Sequence, residues 1–308
     1  MRDRLSDLLV EQAKNDPKFF VLSGDHGYAL FDQLRKNYSK QFLNVGISEQ
    51  GMIGYASGMA KMGLRPIVYG LASFVPIRVV EFIKMDICYN KYPVIILGDG
   101  AGLVYSTLGS SHQSGEDMAV LRSLPNLKIY SPADAEELEY CFRKAVEDTL
   151  NASYIRIGKS DRTKIHNVKI DLKENNGFSI THQGNSDVAI ITTGSMSSVG
   201  LKISQEFDFL AISVYFINNI NIKKIVDTLK NIKNIIIIEE HNRFGGLSTT
   251  FDEMRKELGT DLNIFNLTLK NKFTEIASSY DIALKEHGLD ELTLKINILN
   301  YLKIGDQN

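Results

Sequence analysis

The sequence predicts an α/β fold of two doubly wound domains, each a mostly parallel sheet flanked by helices, and three observations carry that expectation. Apolar runs of strand length recur along the chain without the in–out alternation of a half-exposed sheet, as strands covered on both faces require. Amphipathic stretches of helical length separate these runs, which is what joining parallel strands demands. A polar stretch at 161–185, containing Asn-Asn-Gly and no sustained period, breaks the series once.

The elements follow in order. Strands are expected at 19–24, 42–46, 65–70, 92–99, 126–132 and 153–158, with helices at 3–14, 48–62, 76–90, 115–123 and 134–149. After the break, strands are expected at 186–194, 209–217 and 234–240, and helices near 197–206, 221–231 and 247–258. The chain is therefore divided into a first domain, 1–165, a linker, 166–185, and a second domain, 186–308.

Composition removes several classes of function. A balance of 35 basic against 37 acidic side chains gives a net charge of −2 over 308 residues, so there is no basic excess for a nucleic acid partner. Apolar runs such as 235–238 fall far short of the roughly 20 residues of a membrane span, so no membrane partner is expected. The opening MRDRLSDLLVEQ is a charged amphipathic helix without the apolar centre of an export signal. Cys88 and Cys141, both within helical patterns, offer neither a disulfide framework nor a thiolate zinc site. A cytoplasmic setting follows.

In open parallel sheets, ligands bind beyond the carboxyl ends of the strands, so the loops at those ends carry the chemistry. In NVGISEQGMIGYASGMAKMGLRP (44–66) a short strand ends at Gly46, Ser48 is placed to cap a helix, and Glu49 sits in its first turn, where the macrodipole favours a carboxylate. Gly51, Gly54, Ser57 and Gly58 give this helix a small-residue face suited to close helix approach. Taken alone, Glu49 reads as a solvated first-turn acid and Phe74, in SFVPIR (73–78), as a core aromatic at a strand-to-helix junction. Asp25 reads as a helix cap, His112 as an exposed loop histidine, and Arg2 and Lys159 as surface bases.

The 44–66 run resembles the signature of the pyrimidine-binding domain of transketolase-like, thiamine diphosphate-dependent enzymes. The resemblance extends through SFVPIR, GAGLVYSTLGSSHQSGEDMAVLRSLPNLKIYSPAD (100–134) and YIRIGK (154–159). In the second domain DVAIITTGSM (187–196) and EEHNRFGGL (239–247) are similar to the transketolase C-terminal domain, so nearly the whole chain is covered in order. The resemblance implies a two-carbon ketol transferase in which Glu49 hydrogen-bonds N1′ of the cofactor's aminopyrimidine. Sharing a proton there lets the 4′-imino group remove the C2 proton of the thiazolium, which then serves as electron sink for carbon–carbon cleavage. Desolvation by Val45, Ile47, Met52 and Ile53 is expected to keep that carboxyl partly protonated.

By the same resemblance Phe74 is the wall on which the aminopyrimidine stacks, with Val75 and Ile77 able to share the position, and Ile47 and Asp25 face the cofactor. His112 matches the histidine of the family's THQ motif, which contacts the donor's hydroxyls and can move protons. Arg2 and Lys159 fall where the substrate phosphate is bound, Lys159 keeping the charge of the commoner arginine without its fork. His26 has no fixed counterpart and is a candidate on the substrate side. His241 is expected to be structural or at an interface, and the second domain to stabilise a dimer.

Two departures bear on substrate and assembly. Leu108 stands where transketolases acting on sugar phosphates carry an Asp, and Gly100 replaces a second histidine, so a sugar other than the common pentose phosphates is expected, such as a deoxy or nucleotide-linked one. The GDG at 98–100 precedes the His112 loop, and the Asn-Asn pair at 175–176 falls in the linker, so neither forms the family's metal motif and no metal site is expected in this chain. Mg2+ and the diphosphate are accordingly assigned to a separate N-terminal transketolase subunit, with homodimerisation of this chain giving a heterotetramer. The alternatives are the beta subunit of a pyruvate-type 2-oxoacid dehydrogenase, a 1-deoxyxylulose 5-phosphate synthase, and a non-catalytic regulatory subunit.

Overall fold

The computed structural model describes residues 1–159, 164–171, 176–259 and 262–305. The first six strands are β1 (Phe19–Ser23), β2 (Phe42–Asn44), β3 (Arg65–Leu71), β4 (Ile95–Asp99), β5 (Leu127–Tyr130) and β6 (Ala152–Ile157). They form one parallel sheet in the order β2-β1-β3-β4-β6-β5. The second sheet contains β7 (Phe178–His182), β8 (Val188–Thr192), β9 (Leu210–Val214), β10 (Asn234–Asn242) and β11 (Asn263–Leu269), in the order β11-β10-β8-β9-β7. Only β7, on the edge, runs antiparallel.

Helices α1 (Arg2–Asn15), α2 (Asp32–Asn37), α3 (Glu49–Lys61), α4 (Val75–Arg78), α5 (Val80–Phe82), α6 (Asp117–Arg122) and α7 (Ala135–Glu147) accompany the first sheet. Helices α8 (Ser197–Phe207), α9 (Ile222–Leu229), α10 (Leu247–Glu253), α11 (Arg255–Leu258), α12 (Tyr280–His287) and α13 (Glu291–Gly305) accompany the second. None of the helices among the described residues is long and apolar enough to cross a membrane.

The unalternated strands are explained by the two cores they feed. Val21, Ile67 and Leu97 join Leu5, Leu8 and Leu9 of α1 and Leu138 and Cys141 of α7 on one side of the sheet. Their chain neighbours Leu22, Val68 and Ile96 join Met52, Ile53 and Ala56 of α3 on the other. The α3-side core continues into the second domain, where Ile235 and Ile237 of β10 meet Leu247 and Phe251 of α10. At ~1.5–3 kcal/mol for each such buried side chain, this shared core contributes to holding the domains together. The sheets are also stitched at their edges: Ser131 N–H donates to Tyr215 O and Ile217 N–H to Ile129 O, both at 2.9 Å, and the Tyr130 and Phe216 rings stack at 4.4 Å.

Three differences from the sequence reading have local causes. The single helix expected at 76–90 is broken, with Pro76 in its first turn, Val79 at φ −123° between α4 and α5, and a π-helical turn over Ile83–Cys88. Residues 178–182, placed in the linker, pair with β9 as β7; this half-exposed edge strand lacks the apolar run of its neighbours. No element is expected beyond 258, yet β11 extends the second sheet, and α13 covers it with Leu294 and Ile298. The linker residues 172–175 and the boundary residues 160–163 lie outside the described residues.

Past β6 the chain is tied back to the first domain most extensively by the Asp134 carboxylate. Asp134 caps α7 by accepting from the N–H groups of Glu136 and Glu137, while its other oxygen accepts from the N–H groups of Ile165 and His166 and meets His166 Nδ1 at 3.2 Å. Burial opposes ionisation of Asp134, but these hydrogen bonds and the His166 charge hold it at about 2. Burial pulls the His166 pKa down, and the bond to Asp134 with the charges of Glu137, Asp134 and Glu136 more than reverses this, so it ends above the ordinary value. A raised histidine contributes its stability below the unfolded value near 6.5 and loses it as pH rises through the folded value. The stability difference between wild type and His166→Gln, measured by urea denaturation, is therefore expected to be on the order of 1–2 kcal/mol at pH 5.5 and smaller at pH 8.5.

Candidate active site

The expected site residues lie in loops at the carboxyl ends of the first sheet, where a parallel α/β fold presents its ligands. After β1 and β2 the backbone is shaped by Asn44. Its Oδ1 accepts from Asp25 N–H (3.2 Å) and Gly46 N–H (2.9 Å), and its Nδ2 donates to Asp25 Oδ1 (3.0 Å). Asp25 at φ 64° and Gly46 at φ 73° take left-handed conformations inside this clamp, so Asp25 is a turn residue and not a helix cap. His26 is half-buried, its backbone engaged by Ser23 Oγ.

Glu49 opens α3 and is only 6% exposed, so it is not a solvated acid. Ser48 precedes it as N-cap but makes no capping bond through its side chain. Met52 and Ile53 beneath Glu49 are fully buried, whereas Ile47, expected to help desolvate it, is 78% exposed. The Glu49 carboxylate is ion-paired instead: Oε2 lies 3.1 Å from Arg78 Nη1. The Arg78 guanidinium sits over the Phe74 ring, 4.4 Å from its centroid. The ring in turn meets the His112 imidazole edge-on at 5.2 Å, and His112 Nδ1 lies 3.0 Å from Ser111 Oγ. The structure thus brings Glu49, Phe74 and His112 into one continuous chain, with Arg78 as a link that the sequence reading did not single out. Phe74 and Ile77 are half-buried and adjoin this chain in sequence, whereas Val75 is fully buried with its Cγ2 against Gly70 and cannot present a wall to a ligand.

His112 rides on two short 3-10 turns, Ser106–Leu108 and Ser110–His112, separated by Gly109 at φ 79°. Leu108 is half-exposed at the end of the first turn. Gly100 heads the loop at φ 72°, and a Cβ there would fall 1.9 Å from the Tyr105 ring, whose hydroxyl donates to Asp99 Oδ2 at 2.8 Å. GDG 98–100 is therefore the turn out of β4. Among the described residues no group of three His, Cys, Asp or Glu side chains could hold a metal.

The remaining candidates stand apart. Arg2 donates to the Tyr28 carbonyl and lies near the phenols of Tyr69 and Tyr105, both pushed up by burial first and then by the charge of Asp99. Two contacts take Lys159 to the second domain: its N–H donates to Ser195 Oγ at 2.7 Å, and its ammonium lies 5.8 Å from the Tyr280 ring centroid. A cleft of about 420 Å³ beside the His112 loop is lined by Leu103, Ser110, Gln113, Glu116, Leu269 and Phe273, none of which belongs to the Glu49–His112 chain.

Behind the loop lies a buried ionic centre that sequence reading missed. Arg156 Nε contacts both oxygens of Asp117 at 3.1 and 2.9 Å, and its Nη2 donates to Ser114 O (3.2 Å) and Glu240 O (2.8 Å). Tyr154 hydroxyl donates to Asp117 Oδ2 at 2.7 Å. His241, 0% exposed, has its Nε2 3.8 Å from Asp117, and burial pushes its pKa down to about 4. It is a neutral residue of the domain joint.

The sequence profile described as the transketolase pyrimidine binding domain matches residues 1–163, and the chain belongs to this family. It is similar over its full length to an apulose-4-phosphate transketolase subunit of Phocaeicola vulgatus, 28% identical over 98% of this chain and 97% of that one. It is also similar to a 1-deoxy-D-xylulose-5-phosphate synthase of Clostridium perfringens, 30% identical over 96% of this chain but 48% of the relative. Among solved structures it resembles one described as a split gene transketolase, inactive beta4 tetramer, with a TM-score of 0.86, 26% identity and 98% of both chains covered. The fold and sequence are thus those of a transketolase-like C-terminal or beta subunit.

Deleting one partner of a buried ion pair leaves an uncompensated charge, which costs about 3–5 kcal/mol. Arg156→Ala is expected to lower the unfolding free energy by that amount in urea denaturation, more than Arg78→Ala at the half-exposed pair with Glu49.

Proposed function

We propose that this chain is the pyrimidine-binding subunit of a thiamine diphosphate-dependent transketolase that moves a two-carbon ketol unit between sugar substrates, together with a separate diphosphate-binding subunit. The observation that carries it is the continuous Glu49–Arg78–Phe74–His112 arrangement, a buried carboxylate beside an aromatic face with an imidazole at its edge. These residues fit the aminopyrimidine half of the cofactor. The carboxylate is set over apolar side chains, the ring is half-buried, and the Arg78 side chain that covers both is 46% exposed and can swing off. The described residues hold no cluster of ligands that fits a metal, so Mg2+, and with it the diphosphate half of the cofactor, are assigned to the partner subunit.

When bound, the cofactor supplies an electron sink for cleavage next to a ketose carbonyl. Glu49 holds a proton at the aminopyrimidine N1′, and Phe74 orients the ring by stacking. His112, at the ring's edge, binds donor hydroxyls and moves a proton at a substrate oxygen. Arg2, His26, Asp25 and Lys159 are assigned to the rim, where Arg2 and Lys159 offer charge to a phosphate. Leu108 and the cramped Gly100 favour a sugar other than the common pentose phosphates, such as a deoxy or nucleotide-linked one. The exposed face of α3, with Gly54, Tyr55 and Gly58 open to solvent, suits a subunit contact within a heterotetramer.

The test is reconstitution. Mixing the chain with a diphosphate-binding transketolase subunit, thiamine diphosphate and Mg2+ is expected to give ketol transfer measured by product chromatography, and the chain alone none. Transfer by the isolated chain, or release of a two-carbon unit from pyruvate in place of a ketose, would overturn the reading. In the reconstituted enzyme Glu49→Gln is expected to lower turnover at least about 100-fold with assembly unchanged by size-exclusion chromatography. His112→Ala is expected to lower donor turnover about 10- to 100-fold while leaving cofactor affinity within about 3-fold.

A further inference from the structure

The second domain grips the His112 loop at its start, middle and end. Glu240, 1% exposed at the end of β10, accepts the Leu103 N–H at 2.5 Å through Oε1 and the Tyr280 hydroxyl through Oε2. Approach this close is possible only because residue 102 is glycine, at φ 72°, where a Cβ would stand 2.4 Å from Glu240 Oε1. In the middle, Thr274 O accepts from Ser110 Oγ (2.9 Å) and Thr274 Oγ1 donates to Gln113 Oε1 (2.7 Å), with Gln113 Nε2 reaching back to Ser106 Oγ (3.2 Å). Ser278 N–H donates to Ser106 O at 3.2 Å, and at the end Asn242 N–H donates to Gly115 O at 2.7 Å.

The loop has little to stiffen it from within. Its regular structure is two single 3-10 turns and one bridge between Gly102 and Ser114, and His112 bonds only its near neighbours Gly109 and Ser111. A segment of this kind opens at low free energy unless outside contacts hold it. We propose that Glu240 and Thr274 are positioning residues for His112. The second domain, through these two side chains, fixes the loop so that the imidazole stands at the edge of Phe74. The proposal rests on the role given to His112 above, and it gives the second domain a part in the reaction besides assembly.

The test uses Glu240→Ala, Glu240→Gln and Thr274→Val. Hydrogen exchange on the full-length chain needs no partner: amides of 103–114 are expected to exchange about ten-fold faster in Glu240→Ala and Thr274→Val, with those of α3 and β4 unchanged. In the reconstituted enzyme kcat is expected to fall about ten-fold at unchanged cofactor affinity, since a displacement of about 1 Å can cost 100-fold. Glu240→Gln, which keeps an acceptor for Leu103, is expected to recover most of the loss. The double variant Glu240→Ala/His112→Ala is expected to be no slower than His112→Ala, because a residue acting through His112 has nothing left to position. If Glu240→Ala fails to fold, Thr274→Val carries the same comparisons. Unchanged loop exchange in the folded variants, or losses that multiply in the double variant, would overturn the proposal. Wild-type turnover by His112→Ala would overturn the role of His112 itself, and the exchange measurement tells that outcome apart.

Discussion

The fold is organised around the buried pair of Arg156 and Asp117. Arg156 lies near the end of β6, next to the edge of the first sheet, Asp117 begins the helix that follows the His112 loop, and the guanidinium also binds a carbonyl near the end of a strand in the second sheet. Two charges taken out of water repay their desolvation only if nearly every donor and acceptor is used. Here the Tyr154 hydroxyl adds a bond to the carboxylate, and backbone carbonyls of Ser114 and Glu240 accept from Nη2 of the guanidinium. Shape and charge therefore agree on a single arrangement of three elements, and the His112 loop is strung between two of them.

The outline of this arrangement was legible in the sequence wherever the signal is local. Buried parallel strands write themselves as apolar runs, and the carboxyl, aromatic and histidine of the candidate site, which the structure brings together, each sit in a short stretch with its own turn chemistry. Edge strands β7 and β11 were not legible because a half-exposed strand carries only part of that pattern. Helix α13 does carry a helical period, in Leu294 and Ile298. Arg78 and Arg156 could not be read, since what they do depends on partners 29 and 39 residues away. A strand arginine inside YIRIGK is a signal only in hindsight: a charge within an otherwise apolar run must have a buried counter-charge somewhere.

Glu49 shows how a site can be finished chemically yet open spatially. A carboxylate in an apolar setting needs a counter-charge while nothing else is bound, and Arg78 supplies it from a half-exposed position, spreading its flat face on Phe74 as guanidinium groups do. Any ligand that takes the carboxylate and the ring must first displace this arginine. Its binding free energy is reduced by that amount, and in return the empty site does not hold an unpaired buried charge.

Gly100 constrains the history of the loop. With a left-handed backbone and the Tyr105 ring where a side chain would be, position 100 cannot accept a histidine by a single change. Tyr105 would first have to shrink or turn away, giving up its bond to Asp99. The two positions are therefore coupled: a side chain at 100 alone meets the Tyr105 ring, and a smaller residue at 105 alone leaves a void.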